Sequence, residues 1–332
     1  MTGGRTRDGE ERAGGTVLRD AAFTGEPPST SPGEGRDRIP GRFSLIGDVA
    51  VLSIPPSFEG DERGIGEAIK RSHRNVRTVL NKVSKLEGDK RVASFDLLAG
   101  GGTVTSHREY GFTYKLDVGR VFFNPRLGSE RMRVASRVTP GEWAIVPFAG
   151  VGPFAIPLAA AGARVLAMEI NPEACRWMAE NAGLNGVGGM VDIVNGDAFA
   201  LCRAMGKRSP ADACEGTEEE KMGKMEKRTE KKKEEKKEKR QGPGFDRAVV
   251  PTPYGRDEIL DSIIPLVRPG GSITFYTFKK RSEIAGLIRG MEELGLAVEL
   301  HRRCGNVAPG VSRWAFDMVK LRGEVPQRRL TT

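Results

Sequence analysis

Two rhythms run through the pattern of hydrophobic and polar positions, one of period two and one near 3.6. They predict strands and helices respectively. Residues 44–54 (SLIGDVAVLSI) read as one strand with a glycine inside it, ended by Pro55 and Pro56. Residues 67–79 place Ala68, Ile69, Val76 and Val79 at helical spacing. Residues 91–98 and 112–118 read as further strands, giving a small α/β unit of roughly 80 residues. From Asn124 onward strands and helices alternate. Helices are expected over 129–138 (capped by Ser129), 154–161, 172–181, 257–267 and 282–294. Strands are expected over 143–147, 164–169, 191–194, 246–250 and 272–277, with two late ones around Val298 and Ala315. Such alternation predicts a parallel, doubly wound sheet, so the fold class is α/β and Rossmann-like, preceded by the small α/β unit.

Two stretches fall outside this pattern. Residues 1–40 are rich in Gly, Pro, Ser and charge, and read as a disordered tail. Residues 218–240 (EEEKMGKMEKRTEKKKEEKKEKR) carry no apolar stripe. The expected division is therefore a tail at 1–40, a small domain at 41–123, a large domain at 124–325 with a charged insertion at 206–243, and a tail at 326–332. A helix-to-strand connection lies at the N-terminal edge of a parallel sheet, opposite the edge where ligands bind. The insertion is thus expected away from any site.

Charge and cysteine usage narrow the classes. The 332 residues include 53 Lys and Arg against 44 Asp and Glu, a formal net charge of +9. Excess positive charge suits a polyanionic partner, although it also serves solubility alone. The four cysteines form no C-x-x-C pair and the three histidines are dispersed, so no metal or redox centre is expected. No apolar run reaches the length of a membrane span, and no secretory leader is visible. A cytoplasmic, monomeric protein is the expectation.

The chemistry concentrates at the expected strand ends. Phe148-Ala149-Gly150-Val-Gly152 joins a strand to a helix, where glycines let backbone approach a ligand and helix N–H groups stand free. The spacing also fits a dinucleotide fingerprint, or a tight turn without a ligand. Glu169 closes the next strand and suits two ribose hydroxyls. Asn195-Gly-Asp197 closes the third, where an acid suits an adenine amino group. The three together favour S-adenosylmethionine over a nicotinamide cofactor.

FNPRL (123–127), SERMRVA (129–135), FAGVGPFAIP (148–157) and EINPEA (169–174) resemble the archaeal and eukaryotic-type tRNA guanine-37 N1-methyltransferases. So do NGDAF (195–199), GGSITFYTF (270–278), NVAPGVSRWAFD (306–317), IGDVAVLSIP (46–55), and the run holding Thr105, His107, Glu109 and Gly111. The resemblance spans residues 43–320 outside the charged insertion, and the relatives include an aminocarboxypropyl transferase of the wybutosine pathway. It implies a class I S-adenosylmethionine-dependent methyltransferase fold, a small domain that helps bind the tRNA anticodon stem-loop, and methyl transfer to N1 of guanosine 37. Guanine N1 must lose a proton to become a nucleophile, and negative charge develops on O6. By resemblance Glu130 is the base and Arg91 the cation. The cofactor residues implied are Arg131, Phe148, Ala149, Gly150, Gly152, Glu169, Ile170, Asn171, Asp197, Ala198 and Pro251.

Two positions depart from the family pattern. Val146 stands where relatives carry an acid at the end of the first strand. Pro251 stands where an asparagine is usual, and proline offers neither an amide side chain nor an N–H. Thr252 and Tyr254 are the polar side chains on that loop able to replace the contact, Tyr254 by stacking as well. Aminocarboxypropyl transfer at the same nucleotide, and a non-catalytic RNA-binding relative, are the alternatives.

Overall fold

The computed structural model describes residues 43–55, 60–84, 93–206 and 244–322. The expected tails, Arg91 and residues 207–243 of the insertion lie outside the described residues.

In the small unit the expected single strand is a hairpin. β1 (Ser44–Ile46) and β2 (Val49–Leu52) pair antiparallel, with Ile46 opposite Val49. Gly47 turns the chain at φ +57°, a conformation open to glycine without steric cost. Helix α1 (Glu62–Ser72) starts and ends earlier than its apolar spacing predicts. Asp61 caps it by accepting from the Gly64 N–H at 2.9 Å, a start signal that outranks the periodicity. Val76 lies beyond it, and Val79 belongs to β3 (Thr78–Lys82), where β-branched neighbours pair parallel with β2. β4 (Phe95–Ala99) completes a four-stranded sheet in the order β1-β2-β3-β4. A separate hairpin, β5 (Val104–Glu109) with β6 (Phe112–Asp117), follows.

The large unit comprises α2 (Gly128–Ala135), β7 (Trp143–Pro147), α3 (Ala155–Ala160), β8 (Arg164–Glu169), α4 (Pro172–Leu184), β9 (Val191–Asn195) and α5 (Ala198–Gly206). Beyond residue 243 come β10 (Phe245–Pro251), α6 (Ile259–Ile263), β11 (Val267–Lys280), α7 (Ile284–Glu293), β12 (Leu296–Ala308) and β13 (Val311–Lys320). Its sheet runs β12-β13-β11-β10-β7-β8-β9. It is mixed rather than wholly parallel, because β13 runs antiparallel between β11 and β12. A tight hairpin joins β12 to β13, and such a connection forces antiparallel pairing. Ser129 does not cap α2 as expected. Asn124 instead caps a preceding single turn, Pro125–Leu127, that runs straight into the helix.

Helices cover both faces. α2, α3 and α4 bury Val134, Leu158 and Met178 on one face. α5, α6 and α7 bury Cys202, Ile263 and Met291 on the other. Each fully buried side chain of this size contributes about 1.5–3 kcal/mol relative to exposure. Tyr114 and Leu116 of β6, with Ile46 and Leu80 of the small sheet, join the first of these cores, so the small unit packs onto the α4 side of the large one. Two side-chain amides fix that packing. Asn181 of α4 and Asn185, its C-cap, each bond the backbone N–H and C=O of one β6 residue, Lys115 and Thr113, at 2.7–3.0 Å. Four helical residues rise about 6 Å and two strand residues about 6.7 Å, so the two amides match the strand's own ladder.

Candidate functional site

β7 ends at Pro147 and the chain turns at once. Phe148 takes φ +54°, left-handed for a residue with a side chain, a strain of about 1–3 kcal/mol that clusters at ligand sites. Its ring packs edge-on with Phe199 at 5.9 Å. Gly150 follows at φ +58° and Gly152 at φ +89°. A Cβ on Gly152 would lie 2.9 Å from Ile156 and 3.0 Å from Met178, so its bareness serves helix packing.

Glu169 at the end of β8 is 9% exposed. Its two carboxylate oxygens accept from Gly150 N–H and Asn171 N–H, each at 2.8 Å, which ties the glycine turn to the second strand. A carboxylate oxygen has more than one lone pair, so acceptor capacity remains for hydroxyl donors. Asn171 caps α4 and donates through Nδ2 to Arg120 C=O at 2.9 Å. Asp197 is exposed and caps α5, accepting from Phe199 N–H at 3.1 Å.

At this C-terminal edge lies a cavity of ≈ 940 Å³, open solvent included. Phe148, Ala149, Gly150, Glu169, Ile170 and Asn171 form one side, and Pro251, Thr252 and Arg131 others. Gly152, Asp197, Ala198, Glu130 and Tyr254 are not among its lining residues. The walls also include Phe122 and Phe123, Tyr276 and Phe278 of β11, and Arg313 of β13, none of them singled out from the sequence. Tyr276 and Phe278 are two apart on a strand and share a face, a signal present in the chain. Arg313 enters because β13 pairs it with Phe278, with its guanidinium 4.9 Å from that ring. A long-range pairing of that kind leaves no local mark.

Arg131 is held from three directions. Glu109 accepts from its Nε at 2.6 Å, Asn124 C=O accepts from Nη1 at 3.1 Å, and the Phe123 ring lies 5.1 Å from the guanidinium. Burial alone would raise the Glu109 carboxyl, but hydrogen bonds from His107 and Arg131 hold it below the usual value. His107 in turn accepts through Nδ1 from Gly47 N–H at 3.1 Å. The β1–β2 turn thus reaches the cavity wall through His107, Glu109 and Arg131.

Glu130 is buried at 4% exposure beside the cavity rather than in its wall. The Tyr276 hydroxyl donates to its Oε2 at 3.2 Å. Arg133 reaches Oε2 at 3.0 Å and Arg302 reaches Oε1 at 3.2 Å. Burial, reinforced by the Glu130 charge, pushes the Tyr276 phenol well above its usual pKa, so it stays neutral. Thr252 is 3% exposed and its hydroxyl donates to Val250 C=O at 3.3 Å. Tyr254 is 65% exposed, its ring 5.6 Å from Phe278. Arg91 lies outside the described residues. Ala93, two positions on, lines a second hollow that shares Phe122, Phe123 and Asn124 with the cavity.

Among the described residues no cluster of His, Cys, Asp and Glu could hold a metal, and no helix is long and apolar enough to cross a membrane. The TRM5/TYW2 methyltransferase domain matches residues 105–212, and the TYW2 N-terminal domain matches residues 29–103. Trm5b of Pyrococcus abyssi, a tRNA (guanine(37)-N(1))-methyltransferase, is 44% identical over 164 residues, 49% of this chain and 50% of that protein. The tRNA(Phe) (4-demethylwyosine(37)-C(7)) aminocarboxypropyltransferase of Pyrococcus horikoshii is 37% identical over 160 residues, 48% of this chain and 57% of that protein. The chain therefore spans about half the length of these curated relatives. The crystal structure of Trm5b from Pyrococcus abyssi superposes with a TM-score of 0.64 at 32% identity, covering 83% of this chain and 74% of that one. The chain belongs to the TRM5/TYW2 methyltransferase family.

Proposed function

We propose that this protein transfers a methyl group from S-adenosylmethionine to N1 of guanosine 37 in tRNA. The observation that carries the reading is the cavity at the sheet's C-terminal edge, where the buried Glu169 carboxylate stands beside apolar walls. That set fits a nucleoside: Glu169 for the vicinal ribose hydroxyls, and Phe148, Ile170 and Pro251 for a flat apolar ring. Arg131 offers positive charge to a carboxylate, with N–H groups left over from its bonds to Glu109 and Asn124. When bound, the cofactor supplies a methyl group on a positively charged sulfur. Asp197 and Ala198 remain candidates for the cofactor's outer edge because α5 starts beside Phe148.

The chain's own contribution is to orient the guanine and remove its N1 proton. Glu130 is the acceptor in this reading. It stands behind Tyr276, so the proton passes to the phenol oxygen while the phenol proton moves to Glu130 Oε2. Arg91 is proposed as the cation at O6. Thr252 is proposed to meet the base with its backbone and Tyr254 to stack against it from the rim. The reading includes tRNA as the partner, a monomeric enzyme and a cytoplasmic location. Its test is incubation with labelled cofactor and unmodified tRNA, followed by nucleoside analysis. Labelled N1-methylguanosine at position 37 is expected, and tRNA left unmodified by a cofactor-binding protein refutes it.

One observation favours a second reading. Residues 29–103 match the N-terminal domain of TYW2, and the aminocarboxypropyltransferase is among the relatives. The same experiment separates the two, because label from the methyl carbon is incorporated only in the first and label from the aminocarboxypropyl carbons only in the second.

A further inference from the structure

The segment NVAPGVSRWAFD forms the tip and return strand of the β12–β13 hairpin, and the cavity takes only Arg313 from it. β12 runs parallel to β11 and β10, so it ends at the same edge of the sheet as the cavity. The glycine turn and Glu169 come from β7 and β8. The hairpin instead sits on the β10–β11 half, beside the loop of Thr252 and Tyr254, where the second substrate must approach.

Strand alternation gives the hairpin two different faces. Arg313 pairs with Phe278 and faces the cavity. On the other face Arg303 pairs with Trp314 and Asn306 pairs with Ser312. These four residues, with Arg281 in the turn just past β11, line an open hollow of ≈ 1180 Å³, solvent included. One strand's thickness separates it from the cavity.

Charge bookkeeping sets these arginines apart from their neighbours. Arg302 is paired with Glu130, Lys279 with Asp257, and Arg133 and Arg137 with Asp317. Arg281 and Arg303 are exposed and make no ion pair among the described residues. The nearby acid, Glu283, is turned to the Lys280 backbone N–H at 2.7 Å. Trp314 is fixed by donating Nε1–H to Lys279 C=O at 3.2 Å, and its ring lines the hollow. Asn306 accepts from the Ser312 hydroxyl at 3.1 Å, which leaves its NH₂ to donate. Two unpaired guanidinium groups, an amide donor and a fixed indole together match a single nucleic-acid strand: phosphates for the cations and an unstacked base for the ring.

We propose that this face of the β12–β13 hairpin seats the tRNA strand next to the target nucleotide, with Arg281 and Arg303 on consecutive phosphates and Trp314 against a flanking base. The inference rests on tRNA being the substrate. It assigns to the hairpin a positioning role separate from chemistry and from cofactor binding.

The test uses the full chain, unmodified tRNA transcript and the double variant Arg281→Gln/Arg303→Gln, with Arg164→Gln/Arg203→Gln at the opposite edge as a control of equal charge. Filter binding across 50 to 200 mM salt, roughly the range in which phosphate contacts show, reads tRNA affinity. Calorimetry reads S-adenosylmethionine affinity. The hairpin variant is expected to bind tRNA about tenfold more weakly, with a log–log salt slope smaller by about 1.4, since each phosphate of a single strand contributes about 0.7. Its cofactor affinity stays at the parent value, and the control keeps both tRNA affinity and slope. Trp314→Leu is expected to weaken tRNA binding with the slope unchanged. Parent-like affinity and slope in the hairpin variant, or an equal loss in the control, overturns the inference while leaving the function intact. A parent that does not bind tRNA overturns both.

Discussion

The Tyr276 hydroxyl stands between the cavity and Glu130, 3.2 Å from Oε2 of a carboxylate that is also held by Arg133 and Arg302. Two guanidinium partners, Arg133 on Oε2 and Arg302 on Oε1, keep it from swinging into the cavity. Under the proposed function, a proton leaving a bound guanine meets the phenol first. Tyr276→Phe keeps the ring and its 5.3 Å contact with Phe154. It is expected to lower the single-turnover methylation rate by about 10²-fold, within the usual worth of general acid–base catalysis. Cofactor affinity should not change. A rate equal to the parent's at saturating tRNA removes Tyr276 from the chemistry.

Glu169 has two duties that one substitution separates. It holds the glycine turn through Gly150 and Asn171, and it is the candidate for the ribose hydroxyls. Glu169→Ala should lose about 3 kcal/mol of cofactor binding, the order expected for charge-assisted hydrogen bonds. It should also loosen the turn. Glu169→Gln keeps the shape but turns an NH₂ toward a backbone N–H, so it should lose affinity almost as far. Calorimetry showing parent affinity in both variants would remove Glu169 from the cofactor site.

Acid should loosen the cavity wall by protonating Glu109. Glu109 has its carboxyl lowered from the ordinary 4.5, because the bonds from His107 and Arg131 outweigh burial. A lowered carboxyl adds stability that is complete above the ordinary value and is lost as pH falls through the folded one. The Glu109 contribution should therefore be constant down to about pH 5 and disappear below the ordinary value of 4.5. Glu109→Gln should lower both stability and cofactor affinity at neutral pH and abolish that acid limb. Denaturant midpoints for parent and variant that fall in parallel below this pH would contradict the assignment.

Strands of the large unit were legible because each carries a short, continuous apolar run between turn residues, as in Trp143–Pro147 and Arg164–Glu169. The small unit was harder. Gly47 within an apolar run looks like a tolerated strand glycine until its φ of +57° shows a turn, and the Asp61 cap sits six residues before the apolar spacing draws the eye. The glycine turn and Glu169 were readable because backbone approach and strand-end acids depend on local sequence. Tyr276 and Phe278 share a face at a spacing the chain displays, whereas Arg313 enters the wall through its pairing with Phe278 on another strand, which no local spacing encodes.

The amide pair of Asn181 in α4 and its C-cap Asn185 should carry much of the attachment of the β5–β6 hairpin. Asn181 is wholly buried and also donates to Val151 C=O at 3.1 Å, so it links β6, α4 and the glycine turn. Asn181→Ala leaves the Lys115 N–H and C=O without partners, at about 1–3 kcal/mol for each group left unsatisfied. Asn185→Ala should cost less, because its position is more exposed to water. Chemical denaturation should therefore rank parent above Asn185→Ala above Asn181→Ala. The reverse order would mean that apolar contacts around Tyr114, not the amides, hold the hairpin.

Removing residues 218–240 and bridging with a short Gly-Ser segment should leave cofactor binding and the methyl-transfer step near parent values. The chain leaves the described large unit at Gly206, the last residue of α5, and returns at Gly244, just before β10. Phe245 at the start of β10 pairs with Val267, the first residue of β11, so the return point lies at the N-terminal edge of the sheet. Pro251, at the far end of the same strand, lines the cavity. Six residues of strand separate the two, about 20 Å. Because 218–240 carries many lysines, tRNA affinity at low salt is expected to fall by the loss of nonspecific contacts, with the difference vanishing as salt rises. The deletion variant should therefore match the parent in single-turnover rate at saturating tRNA. A variant that unfolds at the parent's denaturant midpoint and binds cofactor normally, but transfers no methyl group, would place part of the segment at the active edge.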